Sequence, residues 1–364
     1  MFFPSCKTIS TAGDNKNPLN ISFLKIDDVG GRIDWFTGEK HNLVAIDGIT
    51  NDLMKNTDVF IMNPDGSEKT NITEGTIVPE GFIGNPVWYN DGEHIVFQAE
   101  NEHSEHRFLN HMAWGINNDL WIITKDGNDP EIIYSTELNH GALHAHFNSE
   151  GNTIIFSERT ATGQSFEWIE RLNLGAGGEN QWAGWSIHIA DFDINNTGKE
   201  KLSNHRNITP NGPGFYETHA ITDDNKIVYS FTSGGQGYID DIFICNVDGS
   251  DPVNLINNPG SWEEHGNFSP SGRSMAFLSN RFDTSWEAPR SRTTALRLEL
   301  YLKREDGIFK LTDHNSQMNE EIRYLVSDFS WNKDGDKILY QVAPMKGIEA
   351  LSPQIWLLQF DDPQ

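Results

Sequence analysis

Trp331-Asn332-Lys333-Asp334-Gly335 followed by Ile338-Leu339-Tyr340, and Phe268-Ser269-Pro270-Ser271-Gly272 followed by Met275-Ala276-Phe277, are two copies of one pattern. An aromatic residue enters a polar turn closed by Gly, and a short β-prone run leaves it. Further copies are Trp88-Tyr89-Asn90-Asp91-Gly92 with Ile95-Val96-Phe97 and Phe147-Asn148-Ser149-Glu150-Gly151 with Ile154-Ile155-Phe156. A degenerate one is Ala220-Ile221-Thr222-Asp223-Asp224 with Ile227-Val228-Tyr229. A third strand follows each run behind an acidic or amide residue: Asp58-Val59-Phe60-Ile61, Asp119-Leu120-Trp121-Ile122, Asp241-Ile242-Phe243-Ile244, Glu299-Leu300-Tyr301-Leu302 and Gln354-Ile355-Trp356-Leu357. Asp65-Gly66 and Asp248-Gly249 then turn the chain into a fourth, because such a turn needs residues that tolerate positive φ.

Four short strands repeated at roughly 40 residues or more are the signature of a propeller blade, so the expected fold is all-β. Copies start near Gly31, Gly84, Ala142, Tyr216, Trp262 and Val326. Six blades are expected, with seven as the alternative if an insertion hides one. The last blade supplies only three strands, and Ile21-Ser22-Phe23-Leu24-Lys25-Ile26 fits as the fourth, closing the ring and removing the open edges. Residues 1–20 are then an N-terminal tail, processed or disordered, and residues 21–364 a single propeller domain.

The pattern resembles the WD-like repeats of the TolB family, whose blades carry aromatic-Ser-Pro-Asp-Gly and Asp-Ile-Tyr-Val-Met-Asn-x-Asp-Gly elements. The resemblance covers about residues 30–360 and implies a propeller. It does not carry one function, because such folds serve as scaffolds, receptors and enzymes. A periplasmic or extracellular address is expected, and the start Met1-Phe2-Phe3-Pro4-Ser5-Cys6 is compatible with the remnant of a trimmed export or lipoprotein signal, with Cys6 as the lipid-bearing residue.

A net charge of −26 repels phosphate backbones and anionic lipid surfaces, so nucleic acid and membrane surfaces are not expected partners. No run of 18 apolar residues predicts a membrane span. Two cysteines cannot form a disulfide framework, and Cys245 reads as a buried thiol. Gly175-Ala176-Gly177-Gly178 and Gly234-Gly235-Gln236-Gly237 lack the setting of a phosphate loop, so no organic cofactor is expected.

The first strand of a propeller blade lines the central channel. Three positions before the turn aromatic stand Arg32, Asn85, His144, Glu217, His265 and Asp328; one position before it stand Asp34, Val87, His146, His219, Asn267 and Ser330. Residues two apart on a strand face the same way, so two stacked polar rings are expected at the upstream end of the inner strands. The bland reading is a wet channel whose polar side chains hold water. The functional reading is a divalent cation, Mn²⁺ or Zn²⁺ rather than an all-oxygen Ca²⁺ site, held by His144, His146, His265 and Glu217. Ligand contacts are expected from Asn85, Glu217 and Asp328, and from Trp168, Trp286, Arg171 and Arg290 on long loops above the ring. Trp and Arg at a rim suit sugar stacking and carboxylate pairing, although such Trp residues also pack loops as satellite cores.

The element His144-Ala145-His146-Phe147 is similar to the His-x-His of oligogalacturonate lyases, which are metal-dependent propellers. That resemblance implies β-elimination, with a cation or Arg32 neutralising a uronate carboxylate and a ring His such as His219, beside His146, taking the C5 proton. The family has seven blades and a Gln ligand, and no Gln stands at an aligned ring position here. Three functions follow: binding of a glycan, peptide or partner protein in the His/carboxylate funnel; lyase action on uronic-acid oligosaccharides; and a protein-interaction scaffold.

Overall fold

In the computed structural model, residues 7–8, 19–51, 56–104, 115–160, 184–210, 212, 214–233, 240–285, 296–316, 322–346 and 349–364 are described. Six antiparallel sheets form among them, and the inner strand of each packs on the next until the ring closes. The inner strands run Ile33–Trp35, Ile83–Trp88, Gly141–Phe147, Gly214–Ile221, Glu263–Phe268 and Arg323–Trp331. These define blades 1 to 6 of a six-bladed β-propeller. No helix of the described residues is long and apolar enough to cross a membrane.

The apolar runs explain the ring. Ile95, Val96 and Phe97 stand side by side on a second strand, and alternation sends them to opposite faces. Ile95 and Phe97 pack with Ala45, Val59 and Ile61 of blade 1, whereas Val96 packs with Ala142 and Ile154 of blade 3. Both faces of the sheet are buried here, so the run Ile95-Val96-Phe97 is apolar at each position. Ile155 and Val228 likewise face the blade after their own, and Ile154 and Ile227 the blade before. Leu339 joins Ile33, Trp35, Val44 and Ile46, so the apolar seam continues between blades 6 and 1.

Strand Ile21–Asp27 pairs with Gln354–Phe360, Ile21 opposite Phe360 and Leu24 opposite Leu357, and supplies the fourth strand of blade 6. Lys7–Thr8 adds a short pairing outside it. The turns follow the residue chemistry: Gly92, Gly151, Gly272 and Gly335 all have φ between 66° and 71°. In the degenerate copy Asn225 takes this role at φ 56°, which Asn tolerates better than other non-glycine residues.

Trp331 and Trp88 are buried between blades; Phe147 and Phe268 also pack against the seams but are only half-buried, at the wall of the channel mouth. Trp331 stacks on Phe360 at 5.8 Å, and its indole N–H donates to the Asn267 carbonyl of blade 5 at 3.3 Å. Trp331→Ala is expected to cost about 3–5 kcal/mol, as for other large-to-small core changes. Denaturant unfolding checks this, and a loss below about 1 kcal/mol would place Trp331 outside the seam.

Candidate functional site

The ring positions do not simply alternate. Leu143 pairs with Ser157 and His146 with Ile155, so His144 and Ala145 together oppose Phe156: a β-bulge. The same two-against-one register occurs at Asn85-Pro86 in blade 2 and His265-Gly266 in blade 5. Blades 4 and 6 shift register at Thr218/Ala220 and Val326/Asp328. Asn85, His144 and His265 hold φ of 51°, 54° and 53°, a left-handed conformation that is costly for residues with a Cβ. The bulge re-aims each side chain, so the two polar positions converge in mid-channel rather than standing as parallel rings.

What converges is a cavity of about 80 Å³ lined by Arg32, Asp34, Asn85, His144, His146, His219, His265, Asn267, Asp328 and Ser330, among others. It continues into a mouth of about 900 Å³ framed by the turns after the inner strands, with half-buried Tyr89, Phe147 and Phe268 in its wall. The mouth opens where the inner strands end; further contacts are expected from Trp168, Trp286, Arg171 and Arg290 on long loops. Those four residues, like Cys6, lie outside the described residues.

At the cavity floor the ligand atoms of His144, His219 and His265 all lie within 4.8 Å of one another. His146, which the sequence pattern grouped with the ion ligands, lines the same cavity, and both His146 and His219 also line the mouth. Glu217 lies behind the trio, its Oε1 3.0 Å from His144 Nδ1, 3.5 Å from His265 Nε2 and 3.8 Å from an Arg32 nitrogen. Arg32 also meets His265 Nε2 at 2.5 Å, and Ser230 Oγ sits 2.6 Å from His219 Nε2. His144 Nε2, His265 Nδ1 and both polar atoms of the Asn85 side chain are buried without hydrogen-bond partners among the described residues. Such orphans are rare enough in native interiors to point to a missing partner.

Burial, aided by the Arg32 charge, pushes His144 far below the usual imidazole range; burial does the same to His219 and His265 and brings His146 to about 4. The trio is therefore neutral near neutral pH, the form that ligates metal. Burial opposes ionisation of Glu217, but the groups around it, His265, His219 and Arg32, hold the carboxyl below its usual range, Arg32 supplying the positive charge while the histidines are neutral.

Several ring carboxylates serve the fold. Asp328 Oδ2 accepts the Ile33 N–H at 2.7 Å, Asp34 Oδ2 the Trp88 N–H at 2.7 Å, and Ser330 Oγ the Trp35 N–H at 2.9 Å. Each bond ties one blade to the next. Asp47, missed in the sequence because it lies on a second strand, accepts the N–H groups of both Arg32 and Asn85 at 2.9 Å.

Burial raises Asp34 and Asp328 to about 7, and burial with the Glu217 charge raises Glu264 to about 8. Above about pH 6.5 the unfolded chain has already lost these protons while the folded chain keeps them, so stability falls as pH rises. Histidines with lowered values act the other way, because the unfolded chain still holds part of its imidazole protons near pH 6.5, and they offset part of the carboxyl effect. A loss of about 2 kcal/mol is expected between about pH 6.5 and 8, reduced in Asp34→Asn. Denaturant unfolding at the two values reads it, and a flat or rising profile would contradict this picture of protonated channel carboxyls.

Sequence repeat, six closed blades and a His-lined channel define a β-propeller with a polar channel site. No family model matches the chain, and no curated protein sequence matches it. Among solved structures it is similar to a TolB structure from Agrobacterium tumefaciens, at 14% identity and TM-score 0.52 over 80% of this chain and 88% of that one. It is similar to an oligogalacturonate lyase in complex with manganese at 11% identity and TM-score 0.50, over 98% and 96% of the two chains. TolB from Acinetobacter baumannii matches at 14% identity and TM-score 0.49 over 85% of this chain, which spans 61% of that protein's length. These likenesses are of fold.

Proposed function

We propose that the chain binds a divalent cation at His144, His219 and His265 and, through it, an acidic ligand such as a uronate-bearing glycan or acidic peptide entering by the aromatic-walled mouth. The observation that carries this is the buried trio drawn from three blades, with two orphaned ring nitrogens. Nitrogen donors suit Mn²⁺ or Zn²⁺ and do not suit Ca²⁺, which takes oxygen. A cation also answers a difficulty: a chain of charge −26 needs local positive charge to attract an anion. Arg32 already stands against His265 and Glu217, so ion entry displaces its guanidinium toward the mouth, where it pairs with a ligand carboxylate. A periplasmic or extracellular address belongs to the same proposal.

Lyase action is the second reading, favoured by the end-to-end likeness to a propeller in complex with manganese. It ranks second because the histidines offered as base, His219 and His146, are both held well below the range of an efficient proton acceptor.

Arg32→Ala tests the binding reading. It is expected to tighten Mn²⁺ binding, by removing a like charge, and to weaken retention of oligogalacturonate by the metal-loaded protein, both read by calorimetry. Unchanged values in both titrations contradict it. Ultraviolet absorbance of an unsaturated product in the same mixtures would promote the lyase reading over simple binding.

A further inference from the structure

A second cluster lies in blade 3, away from the channel and sharing no residue with it. Glu158 from the second strand (Thr153–Arg159), His188 from the third (Trp185–Phe192) and His205 from the fourth (Leu202–Asn207) meet on the sheet face that packs toward blade 2. Phe156 pairs with His188 across the ladder, and Glu158, two residues on, shares that face. His188 Nδ1 is 2.8 Å from Glu158 Oε2, His205 Nε2 is 3.0 Å from the same oxygen, and the two nitrogens are 2.8 Å apart.

Hydrogen bonding accounts for one side of this triangle, between His188 Nδ1 and His205 Nε2, and that shared proton leaves none for Glu158 Oε2. A ring N–H points at one partner, and two N–H groups aimed at one oxygen would face each other at 2.8 Å. Glu158 Oε2 is in fact buried without a hydrogen bond of acceptable geometry, despite both nitrogens beside it. One cation above the triangle satisfies all three lone pairs together. Ligands held at roughly 2.0–2.1 Å stand about 2.9 Å apart when adjacent in an octahedron and about 3.3 Å apart in a tetrahedron. The observed 2.8–3.0 Å matches the octahedral face.

The outer contacts have the form of a supported site. His188 Nε2 meets Ser186 Oγ at 3.0 Å, and Glu158 Oε1 accepts the Tyr134 hydroxyl of blade 2 at 2.7 Å. His205 stacks on Phe156 at 5.5 Å with 10° between the rings. Such partners fix ring orientation and ligand basicity. Glu158 and His188 side chains are 7% and 8% exposed, whereas His205 is 31% exposed, so the remaining coordination positions open to solvent.

We propose that Glu158, His188 and His205 form a facial two-histidine, one-carboxylate site for a six-coordinate divalent first-row transition metal, with water or an exogenous ligand completing its shell. The ion would also fasten the outer strand of blade 3 to the Tyr134 edge of blade 2.

The test is titration of chelator-stripped protein with Co²⁺, followed by calorimetry and by the visible absorption of the bound ion. His205→Ala, at an exposed position, is expected to keep the thermal midpoint of the metal-free protein while losing one bound equivalent or weakening one class of site at least tenfold. Glu158→Gln is expected to do the same. Identical stoichiometry and affinity in wild type, H205A and E158Q overturn the proposal. Failure of the channel site would lower the wild-type total but leave this difference intact, so the two proposals fail separately.

Discussion

Deleting residues 1–27 is expected to cost the propeller about 5 kcal/mol or more, a large share of the 5–15 kcal/mol that ordinary domains possess. The strand from Ile21 to Asp27 pairs along Gln354–Phe360 and touches both neighbouring seams. Ile21, 2% exposed, joins the cluster of Leu278, Leu300, Val326 and Trp331, while Ile26 packs against the cluster of Ile33, Val44 and Leu339. Burying one Ile contributes about 1.5–3 kcal/mol, and each ladder hydrogen bond about 0.5–1.5 kcal/mol. Deletion also bares the edge of Gln354–Phe360, a template for aggregation. Denaturant unfolding of the truncated chain, with light scattering, measures both effects. A free energy within about 1 kcal/mol of the full chain would mean that the ring does not depend on this closure.

The second large effect concerns the channel. His144→Ala with His265→Ala is expected to abolish binding of Mn²⁺ and Zn²⁺ at the floor, each single change costing at least roughly a hundredfold, about 2.7 kcal/mol. Both residues sit in left-handed bulges, and Ala is also strained there, so a loss of stability accompanies the change. His144→Asn and His265→Asn, which suit that backbone better, separate the two effects. They are expected to retain the fold and still lose the ion. Wild-type affinity in the double Asn variant would show that the trio does not hold the metal.

Much of this was written in the repeats. The turn aromatics, the Gly at each turn and the β-rich runs place six blades and a closing strand, because each blade repeats one solution to burying two sheet faces. Alignment on the turns also selected Arg32, His144, His146, His219, His265 and Asp328, which line one cavity. The bulges were harder to read. An extra residue leaves no mark in a hydrophobic pattern, although Pro86 and Gly266 at bulge positions are hints, since neither makes an ordinary strand residue. Pattern alone therefore grouped His146 with His144 as ion ligands and gave His219 the part of base. The roles of Asp328 and Asp34 as ties between blades needed the neighbouring strand's N–H groups, which sequence does not supply.

The outer triangle was not legible. Glu158, His188 and His205 stand on three strands separated by connections of different length, and a register shift between Ile189 and Asp191 brings His205 into reach. Only with Glu158 set opposite Ser186 does His188 fall on its face.

The most direct measurement of the central claim is anomalous X-ray diffraction from crystals of the whole chain soaked in Mn²⁺. The account predicts a peak bonded to His144, His219 and His265 at the channel floor, with Arg32 turned toward the mouth. Diffraction from such crystals with no peak at the trio, and Arg32 still against His265, would contradict it.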